Sequence, residues 1–146
     1  MDLPRAVVFD LDDTLLDDTG AKRACLPQLF IAWRDRLPHY DEMAFDNAWR
    51  KAVEFHFERH PRGELTLIEQ RRERMRDVFR SPLSDAECDE PTDEFLRVYE
   101  ANWRLFDDAV SALDAIAQRP LGVIANGFDR QQRQKLHAVG STIASR

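Results

Sequence analysis

Shortly after the amino terminus, the sequence places four apolar residues, Ala6-Val7-Val8-Phe9, directly before an acidic segment, Asp10-Leu11-Asp12-Asp13-Thr14-Leu15-Leu16-Asp17-Asp18. The apolar run is short and β-branched, which predicts a strand buried on both faces, as in a parallel sheet. Open α/β sheets bind ligands at the carboxyl ends of their strands. The abrupt change from apolar residues to carboxylates therefore predicts a site at the end of this strand.

A second short apolar run, Leu121-Gly122-Val123-Ile124-Ala125, ends at the turn-forming pair Asn126-Gly127. Between the two runs, residues 19–106 carry apolar side chains at helical spacing in four amphipathic segments. The order of strand, helical block, helix, strand and helix predicts an α/β fold, in which a βαβ unit has a helical insert after its first strand. We expect residues 1–18 and 107–146 to form one unit and residues 19–106 another.

Turn and capping residues set the expected ends of the helices. Thr66 and Glu69 resemble a capping box, which predicts that the third helix of the block begins there. The fourth helix is expected to follow Pro91-Thr92. The last helix is predicted over Asp129–Ala138, with Gly140 as the residue that ends it.

Composition excludes several classes of protein. The 146 residues include 21 Lys and Arg against 27 Asp and Glu, a formal charge of −6 that argues against nucleic-acid or membrane binding. No apolar run near the start is long enough for a signal peptide or a membrane span. Two cysteines without a pairing pattern favour a reduced, cytoplasmic location.

Neither predicted strand carries a protective charge or proline, so self-association through strand edges is expected.

The two carboxylates Asp10 and Asp12 lie two residues apart after a strand, so both can face one crevice. Two such carboxylates repel each other unless a cation or a shared proton lies between them. Mg²⁺ suits carboxylate and phosphate oxygens. The arrangement fits phosphoryl transfer, with one carboxylate as nucleophile and the other as acid. An Asp-rich turn without catalysis explains the spacing equally well.

The wider segment Val7-Val8-Phe9-Asp10-Leu11-Asp12-Asp13-Thr14-Leu15-Leu16-Asp17 resembles the first signature of the haloacid dehalogenase-like (HAD) hydrolase superfamily. Leu121-Gly122-Val123-Ile124-Ala125-Asn126-Gly127-Phe128 resembles its second strand and Thr-Asn-Gly turn. The stretch Asp17-Asp18-Thr19-Gly20-Ala21-Lys22-Arg23 is similar to the start of the cap in the branch of N-acylneuraminate-9-phosphatase and pyrimidine 5′-nucleotidase. The resemblance implies a partial Rossmann-like core with an inserted four-helix cap.

The resemblance assigns expected roles by position. Asp10 matches the nucleophile, which becomes an aspartyl phosphate. Asp12 matches the general acid and base, and its backbone carbonyl joins Asp10 as a ligand of Mg²⁺. Thr14 matches the residue that supports the loop, and Asn126 and Gly127 match the turn that binds the substrate phosphate. Because Asp12 is acidic, the resemblance implies a phosphatase of small phosphorylated metabolites rather than a dehalogenase.

The sequence departs from the family pattern after the first strand. Ala125 stands where the family has Thr or Ser, whose hydroxyl binds phosphate. After Asp129 there is no Asp or Glu, and Lys135 lies too early to match the family's lysine. These departures indicate a C-terminally truncated member with weak or no activity. The alternative is a non-catalytic remnant, or a half-domain that needs a complementary chain.

Overall fold

The computed structural model describes residues 5–144, with side chains described for residues 5–140. The elements are, in order, β1 (Val7–Asp10), α1 (Asp18–Trp33), a 3-10 turn (Arg34–Arg36), α2 (Glu42–Arg59), α3 (Leu67–Phe79), α4 (Asp85–Ala101), α5 (Ala109–Ala115), β2 (Leu121–Ile124) and α6 (Asp129–Ala144). The chain forms two compact units. Within residues 5–144, one unit combines the segment that ends at Arg23 with the segment that starts at Asn102, and the other comprises residues 24–101. The expected core and cap boundaries, 1–18 with 107–146 and 19–106, stay a prediction.

The sheet of the first unit is a parallel pair, with Val7 opposite Leu121 and Asp10 opposite Ile124. This confirms the predicted α/β class with two parallel strands. The expectation that the first strand is buried on both faces is wrong, because the side chain of Val8 is 55% exposed. Within residues 5–144 the sheet has only these two strands, so no further strand covers their outer edges.

The loop between β1 and α1 is anchored by apolar side chains. Leu11, Leu15 and Leu16 are buried in a cluster with Ala109 and Val139, so residues of α5 and α6 pack against this loop. The carbonyl of Leu11 accepts hydrogen bonds from the backbone N–H groups of Leu15 and Leu16, both at 3.0 Å. The carboxylates between these leucines therefore lie on a backbone that is held in place by apolar packing and hydrogen bonds.

The unit of residues 24–101 has an aromatic core. Trp33 lies 5.3 Å from Phe79 and Trp49 lies 4.9 Å from Phe95, measured between ring centroids. These rings come from α1, α2, α3 and α4, and their spacing along the sequence puts them on one face of each helix. Aromatic side chains at helical spacing thus supply a core, as expected.

One buried cation lies within this aromatic core. The Arg74 guanidinium is 4.9 Å from the ring centroids of both Trp49 and Phe95. Its Nε and Nη2 atoms have no hydrogen-bond partner among the described residues. Burial lowers the pKa of Arg74 to about 9, because the charged form loses its hydration.

The capping box predicted at Thr66 and Glu69 is present. The Thr66 hydroxyl accepts from the Glu69 backbone N–H at 3.2 Å, and the Glu69 carboxylate accepts from the Thr66 backbone N–H at 2.7 Å. These two bonds satisfy backbone donors that a helix start leaves without an intrahelical partner. They define the start of α3.

Two helix boundaries differ from the prediction. α4 begins at Asp85 rather than after Pro91, because Ser84 and Glu87 form a second set of reciprocal capping bonds upstream. α6 continues through Gly140 to Ala144. A helical glycine costs roughly 0.5–1 kcal/mol relative to alanine, which the helix tolerates here. No helix within residues 5–144 is long and apolar enough to cross a membrane.

Candidate active site

Parallel pairing brings the two predicted motifs to one edge of the sheet. Asp10 is the last residue of β1 and pairs with Ile124, the last residue of β2. Asn126-Gly127 follows β2 after one residue, Ala125, so this turn and the acidic loop both leave the carboxyl ends of neighbouring strands. This edge is where open α/β sheets hold ligands.

The Asp10 carboxylate is exposed to solvent. Its Oδ2 accepts a hydrogen bond of 3.1 Å from the hydroxyl of Thr14, four residues later. No other partner of this carboxylate occurs among the described residues. Asp10 is thus oriented by one neutral donor and keeps Oδ1 accessible.

Two neighbouring carboxylates serve the helix start instead. Asp13, at a positive φ of 58°, accepts from the Thr19 backbone N–H and hydroxyl, both at 2.8 Å. Asp17 accepts from the Gly20 backbone N–H at 2.8 Å. Such bonds satisfy the first N–H groups of α1. The acidic segment is therefore divided between helix capping and the candidate site.

Asp12 is held through both of its carboxylate oxygens. The Lys135 Nζ lies 2.6 Å from Oδ1, and the Gln132 Nε2 lies 3.0 Å from Oδ2. Both donors lie on α6, one helical turn apart. Asp12 is only partly exposed, at 28% of its side chain. The structure therefore does not place Asp10 and Asp12 in the same environment: the first is exposed, and the second is clamped.

Lys135 also bonds Asp18 and so joins two ends of the acidic loop. Its Nζ lies 2.8 Å from Asp18 Oδ1, while Lys22 Nζ lies 2.5 Å from Asp18 Oδ2. The side chains of Lys135 and Asp18 are 3% and 6% exposed. The Trp103 ring lies 5.9 Å from the same ammonium. Alternating charges in close contact offset the cost of burying each one.

Sequence reasoning missed Gln132, Lys135 and Asp18 as members of this cluster. A signal did exist on α6, because Gln132, Lys135 and the buried Val139 share one helix face at spacings of three and four residues. Polar residues in line with a core residue indicate an interior polar contact. The identity of their partner Asp12, 120 residues from Gln132 and 123 from Lys135, is not contained in that local pattern.

The predicted phosphate-binding turn is tied to the same helix. Gly127 has a φ of 139°, a conformation that L side chains rarely adopt. Gln132 Nε2 donates to the Asn126 carbonyl at 3.1 Å and would lie 2.6 Å from a Cβ on Gly127. The turn therefore needs glycine at this position. The roles predicted for Asp10, Asp12, Thr14, Asn126 and Gly127 in binding and catalysis stay predictions.

The donors at this edge are compatible with a hard divalent cation. Asp10 offers a carboxylate oxygen, and the resemblance assigns a backbone carbonyl to Asp12, whose side-chain oxygens accept from α6. Mg²⁺ usually takes one or two protein ligands and completes its shell with water and substrate phosphate. Within residues 5–144 no group of three His, Cys, Asp or Glu side chains could hold a metal ion. These residues therefore fit Mg²⁺ only as a site with few protein ligands.

Comparison with known proteins gives matches at the levels of family and fold. The family model of haloacid dehalogenase-like hydrolases, a hydrolase family, matches residues 4–145. No curated protein gives a significant match.

Two solved structures align with most of the chain. The magnesium-bound crystal structure of the HAD-hydrolase YfnB from Bacillus subtilis aligns with a TM-score of 0.70 and 22% identity, covering 93% of this chain and 60% of that one. The 2-haloacid dehalogenase from Pseudomonas syringae pv. tomato aligns with a TM-score of 0.55 and 22% identity, covering 86% and 56%. The chain thus spans less than two thirds of the length of either protein, and at this identity the likeness concerns the fold.

Proposed function

Because the chain belongs to the haloacid dehalogenase-like hydrolases, we propose that it is a phosphomonoesterase of small phosphorylated metabolites that uses Asp10 as its nucleophile. The observation that carries this proposal is the exposed Asp10 carboxylate at the end of β1, held only through Oδ2 by Thr14 among the described residues. Its Oδ1 is left to attack phosphorus. Asp12, two residues later, supplies the acid and base that cleavage of a phosphate ester needs.

The first step forms an aspartyl phosphate. Asp10 Oδ1 attacks phosphorus, the bond from phosphorus to the ester oxygen breaks, and Asp12 gives its proton to the departing alcohol. In the second step Asp12 takes a proton from water, whose oxygen attacks phosphorus. The bond between phosphorus and Asp10 breaks, which restores the carboxylate and releases phosphate.

The turn at Asn126-Gly127 supports the binding of the phosphoryl group. A glycine in this backbone conformation lets the main chain approach a ligand closely. Asn126 and Gly127 are proposed to offer backbone N–H groups to phosphate oxygens. Ala125, which precedes them, provides no hydroxyl, and one lost hydrogen bond to a charged group costs about 1.5–3 kcal/mol. This predicts weaker phosphate binding than in relatives with Thr or Ser there.

Mg²⁺, when bound by the Asp10 carboxylate and the Asp12 carbonyl, would offset the negative charge that the nucleophile and phosphate bring together. Since these are few protein ligands, we propose that the affinity for Mg²⁺ is low. Low affinity and the missing hydroxyl at Ala125 both support the proposal that turnover is slow.

A non-catalytic half-domain is the second candidate, and the exposed strands favour it. The Ile124 side chain is 68% exposed and Val8 is 55% exposed on the two-stranded sheet. Exposed apolar strands are templates for pairing with another chain. In that case the protein would acquire activity only after a complementary chain completes the sheet.

The test is hydrolysis of p-nitrophenyl phosphate by the purified chain over a series of Mg²⁺ concentrations. Wild type and Asp10→Asn are compared, with Asp13→Asn as the matched control. Asn tolerates the positive φ of Asp13, and its one carbonyl oxygen can still accept from the Thr19 backbone N–H, so this control removes a nearby charge and keeps that capping bond. We expect Mg²⁺-dependent turnover in wild type and Asp13→Asn, and loss of at least about a hundredfold in Asp10→Asn. Equal rates in wild type and Asp10→Asn would overturn the proposal and favour the second candidate.

A further inference from the structure

We propose that Gln132 and Lys135 of α6 are positioning residues that hold Asp12 in the orientation its acid and base role requires. This inference rests on the proposed function, because it concerns the same site. Each carboxylate oxygen of Asp12 has its own donor, at 2.6 Å from Lys135 and 3.0 Å from Gln132. Two donors on two oxygens fix rotation about both side-chain bonds of Asp12. A carboxylate offers about four lone-pair directions, so these two bonds still leave room for a substrate oxygen.

The Gln132 amide links the two loops of the site. Its Nε2 donates to Asp12 Oδ2 and also to the Asn126 carbonyl at 3.1 Å. Both neighbours are acceptors, so the nitrogen must face them and the assignment of the amide is unambiguous. One side chain therefore sets the distance between the acid after β1 and the turn after β2.

The Gln132 carbonyl oxygen takes no part in holding Asp12. Gln132 is 9% exposed, and its Oε1 has no hydrogen-bond donor within the part of the chain that the structure describes. A buried acceptor without a partner costs roughly 1–3 kcal/mol. The orientation of the amide is therefore set by the two acceptors of its nitrogen, Asp12 and Asn126, and by no described donor to its oxygen.

Lys135 differs from a residue that binds phosphate directly. Its ammonium is 3% exposed and lies between Asp12 and Asp18, at 2.6 and 2.8 Å. Asp18 is itself held by Lys22 on its other oxygen. The ammonium is therefore committed to two carboxylates and fixes the Asp12 end of the loop to the start of α1. Its effect on the reaction passes through Asp12.

A positioning role predicts a specific kinetic signature. Proton donation matters most when the departing oxygen is strongly basic, and general acid catalysis typically contributes 10²–10⁴-fold. Phenyl phosphate needs this proton more than p-nitrophenyl phosphate, whose leaving group is a weak base. Misplacing Asp12 should therefore slow the first ester more than the second. A defect in folding alone would slow both by the same factor.

The experiment compares kcat and KM for the two esters in wild type, Lys135→Met and Gln132→Leu, with Mg²⁺ present. Lys22→Met is the matched control, because it removes a lysine from the Asp18 network without touching Asp12. We expect kcat on phenyl phosphate to fall at least about tenfold further than on p-nitrophenyl phosphate in both α6 variants, with KM changed less than about threefold. Lys22→Met should keep the wild-type ratio. Equal losses on the two esters would overturn the inference.

A second measurement keeps this inference separate from the proposed function. If wild type shows no turnover that depends on Asp10, the proposed function fails. Urea unfolding of Asp12→Asn, Lys135→Met and the double variant then tests the contact between Lys135 and Asp12 by itself. Directly coupled residues should give unfolding constants that depart from additivity by about fivefold or more. If Lys135→Met does not fold, the same cycle is measured with Gln132→Leu. Additive effects of the two substitutions on the unfolding constant would overturn the inference that α6 holds Asp12.

Discussion

Replacing Gly127 by alanine should destabilise the first unit through the contact that joins its two loops. A Cβ at this position would lie 2.6 Å from Gln132 Nε2, and the backbone φ of 139° disfavours any L side chain. Holding alanine in such a conformation costs about 1–3 kcal/mol. Gln132 can move away only by giving up its bonds to Asp12 and Asn126, of which the charged one alone is worth about 1.5–3 kcal/mol. We therefore expect the free energy of unfolding to fall by about 2.5–6 kcal/mol.

Urea unfolding followed by far-ultraviolet circular dichroism measures this change. The matched control is Gly140→Ala, since Gly140 lies within α6 and a Cβ there meets nothing within 4 Å. Alanine at a helix interior should raise the free energy of unfolding by about 0.5–1 kcal/mol. The reasoning is refuted if Gly127→Ala unfolds within about 0.5 kcal/mol of wild type while Gly140→Ala behaves as expected.

Three further predictions concern the unit of residues 24–101. Hydrogen bonds from the Thr66 backbone and hydroxyl lower the pKa of Glu69, so its contribution to stability is complete above its unfolded value of 4.5 and is lost as pH falls through the lower folded value. The difference in free energy of unfolding between wild type and Glu69→Gln, measured in urea, should therefore shrink as pH falls from about 5 to 3. A difference that stays constant would contradict the capping box. Arg74, with its pKa lowered by burial to about 9 against 12.5 when unfolded, binds fewer protons in the folded state, so wild type should gain stability as pH rises above about 9. Arg74→Met should accordingly be more stable than wild type at pH 7 by about 1–3 kcal/mol. If thermal or urea unfolding shows the same difference in stability at pH 10, burial of the charged guanidinium is not its cause. Burial raises the pKa of the Cys88 thiol, so its alkylation by iodoacetamide should be much slower in the folded chain than in urea. Mass spectrometry measures both rates, and equal rates would mean that Cys88 is accessible.

Local patterns were enough to predict most of the elements. The apolar side chains Phe45 and Trp49 lie four residues apart, a spacing that places both on one face of a helix, and they form part of an aromatic core. Thr66 and Glu69 formed the predicted capping box because all of its atoms lie within four residues. The start of the fourth helix was predicted wrongly because Pro91 indicated a boundary there. Ser84 and Glu87 carry the same capping chemistry about two helical turns earlier.

The candidate site was predictable only where its chemistry is local. Asp10 follows a strand and Gly127 lies in a turn, and both features are visible in short stretches of sequence. The contacts of Lys135 join residues more than 100 positions apart, so they depend on how α6 packs over the loop after β1. The expected burial of β1 failed for the same reason, since burial depends on neighbouring strands and not on the strand's own residues.

Identification of a phosphorylated residue tests the proposed mechanism most directly. The chain is mixed with p-nitrophenyl phosphate and Mg²⁺, quenched, and treated with borohydride, which reduces an acyl phosphate and leaves a permanent mass change on the residue that carried it. Peptide mass spectrometry of wild type should place this change on Asp10 and find none in Asp10→Asn. A change on another carboxylate, or hydrolysis that proceeds without any trapped residue, would contradict the assignment of Asp10 as the nucleophile.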